Sequence, residues 1–167
     1  VLEMADRVLE RVTSETLSSY LTTLHATHGV SVKTGCSVTS ITGGEDETQA
    51  LSVECGDGEH YTADLILVRI GVLPETTLAE SAGLETDDGI LVSETGMTSD
   101  SDIFAAGDCT RHPNRFSGGL TRLESVQNAN DQARVVGGNM LGKQSVYDLV
   151  PWFWSDQYDI KLQMVGI

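Results

Sequence analysis

The sequence predicts an α/β fold, part of whose sheet is an antiparallel meander, and three observations carry that prediction. Leu65-Ile66-Leu67-Val68 follows Asp64 as an unbroken apolar run, the signature of a strand covered on both faces. Leu17, Leu21 and Leu24, joined by Tyr20, recur at three- and four-residue spacing, which marks one face of a helix. Between these segments, from Cys36 to Ala63, short alternating runs are separated by glycine-rich acidic turns, as in paired hairpins.

Each element follows from local chemistry. Val1-Leu2-Glu3 reads as the tail of a strand already under way, so the chain is expected to be part of a longer protein. Ser14 can cap the first helix and Gly29 can end it; Val30 and Val32 then begin a strand. In the meander, Val38 and Ile41, then Leu51, Val53 and Cys55, then Tyr61 and Ala63 alternate. Gly43-Gly44-Glu45-Asp46-Glu47 and Gly56-Asp57-Gly58 form the turns. After the apolar run comes Arg69-Ile70-Gly71-Val72-Leu73-Pro74, where Gly beside Pro makes a sensible hinge. A short helix from Glu75 to Ala82 closes at Gly83, and Gly89 to Val92 forms a strand.

Thr98-Ser99-Asp100-Ser101-Asp102 then feeds Ile103-Phe104-Ala105-Ala106, which reads as a brief buried strand ending at Gly107-Asp108. That would put Asp108 at a carboxyl strand end, the edge where open α/β sheets bind ligands. Gly107 lets a ligand approach the backbone, and Asp108 offers two acceptors to hydroxyl groups. A turn-capping Asp is the competing reading. Thr110 to Gly119 is turn-rich and basic. Ser125 can cap a long helix running to about Leu141 and Gly142, whose unpaired first N–H groups and positive dipole end favour an anion. Pro151-Trp152-Phe153-Trp154 gathers both tryptophans, and Ile160, Leu162 and Met164 alternate as a last strand.

Composition narrows the function. With 25 acidic and 10 basic side chains and a formal charge of −15, the chain lacks the basic footprint that nucleic acid requires. Neither a leader pattern nor an apolar span of about 20 residues is visible, which predicts a soluble segment. Cys36, Cys55 and Cys109 form no Cys-x-x-Cys pair, which excludes a dithiol relay here. An odd thiol count without a framework predicts a reducing, cytoplasmic setting. His25 and His28 lie one helical turn apart but lack further ligands, so they read as helix surface and no metal is expected. No side chain stands out as a catalytic acid, base or nucleophile.

Four segments carry a resemblance that covers nearly the whole chain: Thr98 to Asp108; Ile70-Gly71-Val72-Leu73-Pro74; Arg122-Leu123-Glu124-Ser125-Val126-Gln127-Asn128-Ala129; and Pro151-Trp152-Phe153-Trp154-Ser155-Asp156-Gln157. In order and spacing they resemble the two-dinucleotide-binding-domain flavoproteins of the pyridine nucleotide-disulfide oxidoreductase superfamily. Within it they resemble the NADH-dependent ferredoxin and rubredoxin reductases that serve oxygenases. The resemblance implies partial FAD/NAD(P)-binding Rossmann-like domains with an antiparallel β-meander, and the start of a C-terminal α+β domain. The implied parts are residues 1–72 of the NAD-binding domain, 73–148 of the FAD-binding domain and 149–167 of the C-terminal domain.

The same resemblance implies the site. Gly107 and Asp108 would hold the ribityl chain of FAD, and the helix start at Ser125, Val126 and Gln127 would face the N1 and C2 carbonyl edge of the flavin. Trp154 would lie near the isoalloxazine and the electron exit. Glu3 would bind the adenosine ribose of NADH, which favours NAD over NADP, and Gly71 would pass close to NAD. Arg7 and Arg11 would line the adenosine pocket. Arg69 stands where the family usually has glycine. The implied partner is an iron–sulfur ferredoxin or rubredoxin, toward which Arg111, Arg115 and Arg122 could gather positive charge. Both expected GxGxxG turns are missing, so the chain alone is expected to be inactive. A nitrite-reductase or apoptosis-inducing-factor type of flavoprotein, and a non-catalytic acidic interaction domain, stay open as alternatives.

Overall fold

A computed structural model describes residues 1–43 and 51–166, and the chain divides into two compact units, Val1–Ile70 and Gly71–Ile167. Among the described residues no helix is long and apolar enough to cross a membrane.

In the first unit Leu2 pairs with Lys33 in a parallel bridge, with Glu3 N–H to Lys33 O and Lys33 N–H to Val1 O both at 2.9 Å. The strand expected from Val30 and Val32 is reduced to that single bridge. The first helix, α1 (Glu15–Thr27), is capped by Ser14, whose Oγ accepts from Leu17 N–H, and ends before Gly29 as its sequence predicts. Its buried face is narrow. Leu21 and Ser18 are each 1% exposed, whereas Tyr20, expected in the apolar face, is 48% exposed. Ser18 goes inside because its hydroxyl donates to Val8 O at 2.6 Å, so its own buried oxygen is not left unpaired.

The meander forms as predicted: β1 (Val38–Thr42), β2 (Leu51–Cys55) and β3 (His60–Ala63) make an antiparallel sheet in that order. Ile41 opposes Val53 and Val53 opposes Tyr61. The Gly56-Asp57-Gly58 turn uses Gly58 at φ +83°, a left-handed conformation that suits glycine. Of the other predicted turn, residues 44–47 lie outside the described residues. Register brings Val38 opposite Cys55, and Cys36, just before β1, is joined to Cys55 by a disulfide with Cα atoms 6.0 Å apart. This corrects the expectation of three separate thiols; Cys109 is the free one among the described residues.

A second correction concerns Asp64 to Val68. The segment forms no strand, and Leu65 and Leu67 are 83% and 89% exposed. A parallel strand needs neighbours on its flanks to build a ladder, and none of the described residues pairs with it.

In the second unit, α2 (Thr77–Ser81) is followed by Gly83, and β4 (Ile90–Leu91) pairs in parallel with β5 (Thr110–Asn114), which pairs antiparallel with β6 (Gly119–Arg122). β5 occupies the stretch expected to be turn. Thr110, His112 and Asn114 point inside and are 0%, 2% and 9% exposed, so an alternating burial pattern exists but is written in polar residues. Pro113 is tolerated because β4 pairs only with Thr110 and Arg111, leaving the Pro113 edge free of a ladder that would need its N–H.

Conversely, the strand expected at Ile103 to Ala106 shrinks to one bridge, Met97 with Phe104. Ile103 N–H turns back to Asp100 O, and Gly107 at φ +92° redirects the chain, so the run is stopped at both ends. Asp108 therefore sits in a turn before β5 rather than at a strand's carboxyl end. The long helix is α3 (Val126–Met140), ending at Leu141 and Gly142. A hairpin of β7 (Trp152–Gln157) and β8 (Ile160–Val165) completes the unit.

Candidate functional site

The Gly107-Asp108 turn is fastened to α3. Gly107 N–H donates to Gln132 Oε1 at 2.7 Å, and the Gly107 carbonyl accepts from the Thr110 hydroxyl at 2.8 Å. That hydroxyl also lies 3.0 Å from Gln132 Oε1, and Gln132 is 1% exposed. A Cβ at Gly107 would sit 3.9 Å from Ala129 Cβ, so glycine is required by its positive φ rather than by space. Asp108 follows this anchored backbone with an exposed side chain that has no partner among the described residues.

The opening of α3 is built to leave two donors unmet. Ser125 is extended (φ −154°, ψ 148°), and its Oγ accepts from Asn128 N–H at 3.0 Å. Ala129 N–H already closes the first turn on Ser125 O. For the Val126 and Gln127 N–H groups no acceptor is found among the described residues. No acidic residue occupies the first turn, and Val126 is 58% exposed. Such a terminus presents positive potential to solvent.

Gln127 turns its side chain inward, at 7% exposure. Nε2 donates to Asp131 Oδ2 at 2.8 Å, and Oε1 accepts from Trp152 N–H at 3.4 Å. Through that bond the helix start meets the aromatic hairpin. The Trp152 and Trp154 rings lie 5.3 Å apart at 37°, and their face borders a cavity of about 240 Å³ with Asp156, Lys161, Leu162 and Gln163. Both residues are about two-fifths exposed.

Behind the site, His112 has both ring nitrogens buried without partners and packs edge-on against Tyr147, with centroids 5.2 Å apart. Burial pushes the His112 pKa below the ordinary histidine value, keeping the ring neutral. Burial, together with the Asp131 charge, raises that of Tyr147, while the Gln127 side chain acts in the opposite direction. A larger cavity of about 610 Å³, lined by Asn114, Arg115, Tyr147 and Asp148 among others, includes none of the expected cofactor residues.

The remaining expected residues stand as follows. Glu3, in the first unit, is half-buried, and its Oε1 accepts from Ala5 N–H at 2.9 Å. Gly71, first in the second unit, is exposed at φ +98° with open space around it. Arg7 is engaged locally, donating to Thr13 O, Ser18 Oγ and Glu10 O, which binds its own loop rather than leaving it free for an adenosine. Arg111, Arg115 and Arg122 are paired with Asp87, Asp148, and Asp88 and Glu124 respectively, so they form no open positive patch. The Glu124 contact is the main cause that raises the Arg122 pKa. No cluster suited to a metal occurs among the described residues, and His28 Nδ1 lies 2.9 Å from Leu24 O.

The sequence pattern of the pyridine nucleotide-disulphide oxidoreductases matches residues 1–133. The chain belongs to this family. A second pattern, the reductase C-terminal domain, matches residues 152–167, the aromatic hairpin. Among pyridine nucleotide-disulphide oxidoreductases the chain is 44% identical over its whole length to the 5,5'-dehydrodivanillate O-demethylase ferredoxin reductase subunit of Sphingobium sp.. The fold agrees with the ferredoxin reductase for the CYP199A2 system from Rhodopseudomonas palustris at a TM-score of 0.93 and 42% identity, covering all of this chain. It agrees with the reductase in a covalent putidaredoxin reductase–putidaredoxin complex at 0.92 and 42%, covering 99%. The chain spans only 40%, 41% and 40% of those three proteins.

Within this oxidoreductase fold, sequence reasoning missed Gln132 and Thr110, which hold the Gly107 turn. One signal was present: Asn128, Gln132 and Asn139 fall on one face of α3, and amides at helical spacing mark a face that hydrogen-bonds backbone rather than water.

Proposed function

We propose that the chain is the carboxyl-side part of an FAD-dependent reductase that carries electrons from NADH to a ferredoxin or rubredoxin, in the cytoplasm and in support of an oxygenase. The observation that carries this reading is the anchoring of the Gly107-Asp108 turn on α3, the helix whose opening N–H groups are unsatisfied. An unpartnered carboxylate that can accept from hydroxyls, beside two unpartnered amides that can donate to a carbonyl edge, is the combination that a flavin with a hydroxylated chain requires. When bound, FAD supplies the hydride acceptance and single-electron release that no side chain here provides.

In this reading Asp108 accepts hydrogen bonds from ribityl hydroxyls. The Val126 and Gln127 amides, shaped by the Ser125 cap, steady negative charge at the N1 and C2 carbonyl edge. Trp154 lines the electron exit, Glu3 accepts from the adenosine ribose hydroxyls of NAD, and Gly71 keeps the backbone open to it. We divide the chain into an NAD part (1–72), an FAD part (73–148) and the start of the reductase domain (149–167). The likeness to a reductase captured with putidaredoxin supports a protein electron acceptor. The reductase C-terminal match favours this reading over nitrite-reductase or apoptosis-inducing-factor types.

The test is made in the full-length protein. Asp108→Asn is expected to weaken FAD binding about ten-fold or more, the scale of hydrogen bonds to a charged group, and to slow NADH-driven ferredoxin reduction in proportion. A full-length protein that retains no flavin and reduces no ferredoxin would favour the acidic interaction domain.

A further inference from the structure

We propose that Gln127 is a positioning residue: its side-chain carbonyl holds the first N–H of the aromatic hairpin, so that the opening of α3 and the Trp152–Trp154 pair are set as one surface. This rests on the flavin reading for its consequence but on the following geometry for its existence. Pro151 is fully buried and brings no N–H of its own, so Trp152 is where the hairpin backbone first offers a donor. That donor goes to Gln127 Oε1, a side chain on the helix, at 3.4 Å.

Gln127 is itself aimed. Its amide nitrogen donates to Asp131 Oδ2, and the other oxygen of Asp131 accepts from Arg134 at 2.6 Å. The carboxylate is thus held from both sides, which fixes the amide with its oxygen toward the hairpin. Glutamine is mostly exposed in folded proteins, yet Gln127 is 7% exposed. Because the Trp rings lie 5.3 Å apart, a shift of Trp152 carries Trp154 with it. Gln127 thereby acts on the flavin edge through the hairpin as well as through its own backbone.

In the full-length protein, Gln127→Met keeps side-chain length and removes the acceptor. The Trp152 amide is expected to exchange about five-fold faster, the scale of one lost hydrogen bond. Tryptophan emission shifts to the red, and its quenching by bound flavin falls. Gln127→Glu sets a second carboxylate against Asp131 in place of the amide donor, so it is likewise expected to lose amide protection at Trp152. Unchanged exchange and emission in Gln127→Met would overturn the proposal. If that variant does not fold, the wild-type protein decides, and a Trp152 amide that exchanges there as fast as an exposed one would overturn it. If the wild-type protein carries no flavin, amide exchange still decides the tether while the flavin reading falls.

Discussion

Two regions of the molecule invert the usual rule of what lies inside. Around Gly107, the interior is made of Thr110, His112, Asn128 and Gln132, all nearly inaccessible. In the segment from Leu65 to Leu73 the most apolar run of the chain stands in solvent, with Leu67, Ile70 and Leu73 each about nine-tenths exposed. Hydropathy did not decide either outcome; the availability of partners did. Gln132, Thr110 and the Asn128 amide nitrogen find hydrogen-bond partners within the same unit and the His112 ring packs on Tyr147, whereas the apolar run requires flanking strands that the described residues do not supply.

The comparison breaks first at Leu67. In the isolated chain Leu67→Lys should change unfolding stability by less than about 0.5 kcal/mol, as expected of an exposed site. In a full-length protein that covers the run, the same change should cost about 3 kcal/mol or more through a buried unpaired charge. Denaturant unfolding of both forms checks this, and equal costs would mean the run is never covered. Next comes Gln132→Leu, which leaves the Gly107 N–H buried without an acceptor. It should cost about 2 kcal/mol, the penalty of an unsatisfied donor, read from the same denaturant unfolding.

The smallest effect is at His112. Its folded pKa is depressed by burial, so the unfolded chain binds the proton more readily and stability rises with pH. The contribution is present above the ordinary histidine range and is lost as pH falls through it. His112→Phe should flatten that slope, measured by unfolding at a series of pH values.

How far the sequence could be read follows the same division. Elements defined by neighbours a few residues away were legible: the Ser14 and Ser125 caps, the glycines after α1 and α3, and the Gly56-Asp57-Gly58 turn. β5 was not, because Thr110, His112 and Asn114 alternate in burial without alternating in polarity. Ile103 to Ala106 misled for the opposite reason, since apolar residues between two sharp turns have no room for a ladder. The Cys36–Cys55 bond depends on the β1–β2 register, which no spacing rule reveals. Near Gly107 the sharp turn at a glycine was legible but not the loss of the strand before it, and the clamp from Gln132 required knowing which face of α3 meets the turn.

The Gly107 amide has a further bearing on ligand choice. Because Gln132 occupies it, the turn cannot contribute that N–H to a nest for phosphoryl oxygens, and what it presents outward is the negative charge of Asp108 alone. A pyrophosphate bridge would be repelled there, so in the flavin reading proposed above its donors belong to other parts of the protein and this corner is left for an uncharged stretch of the ligand.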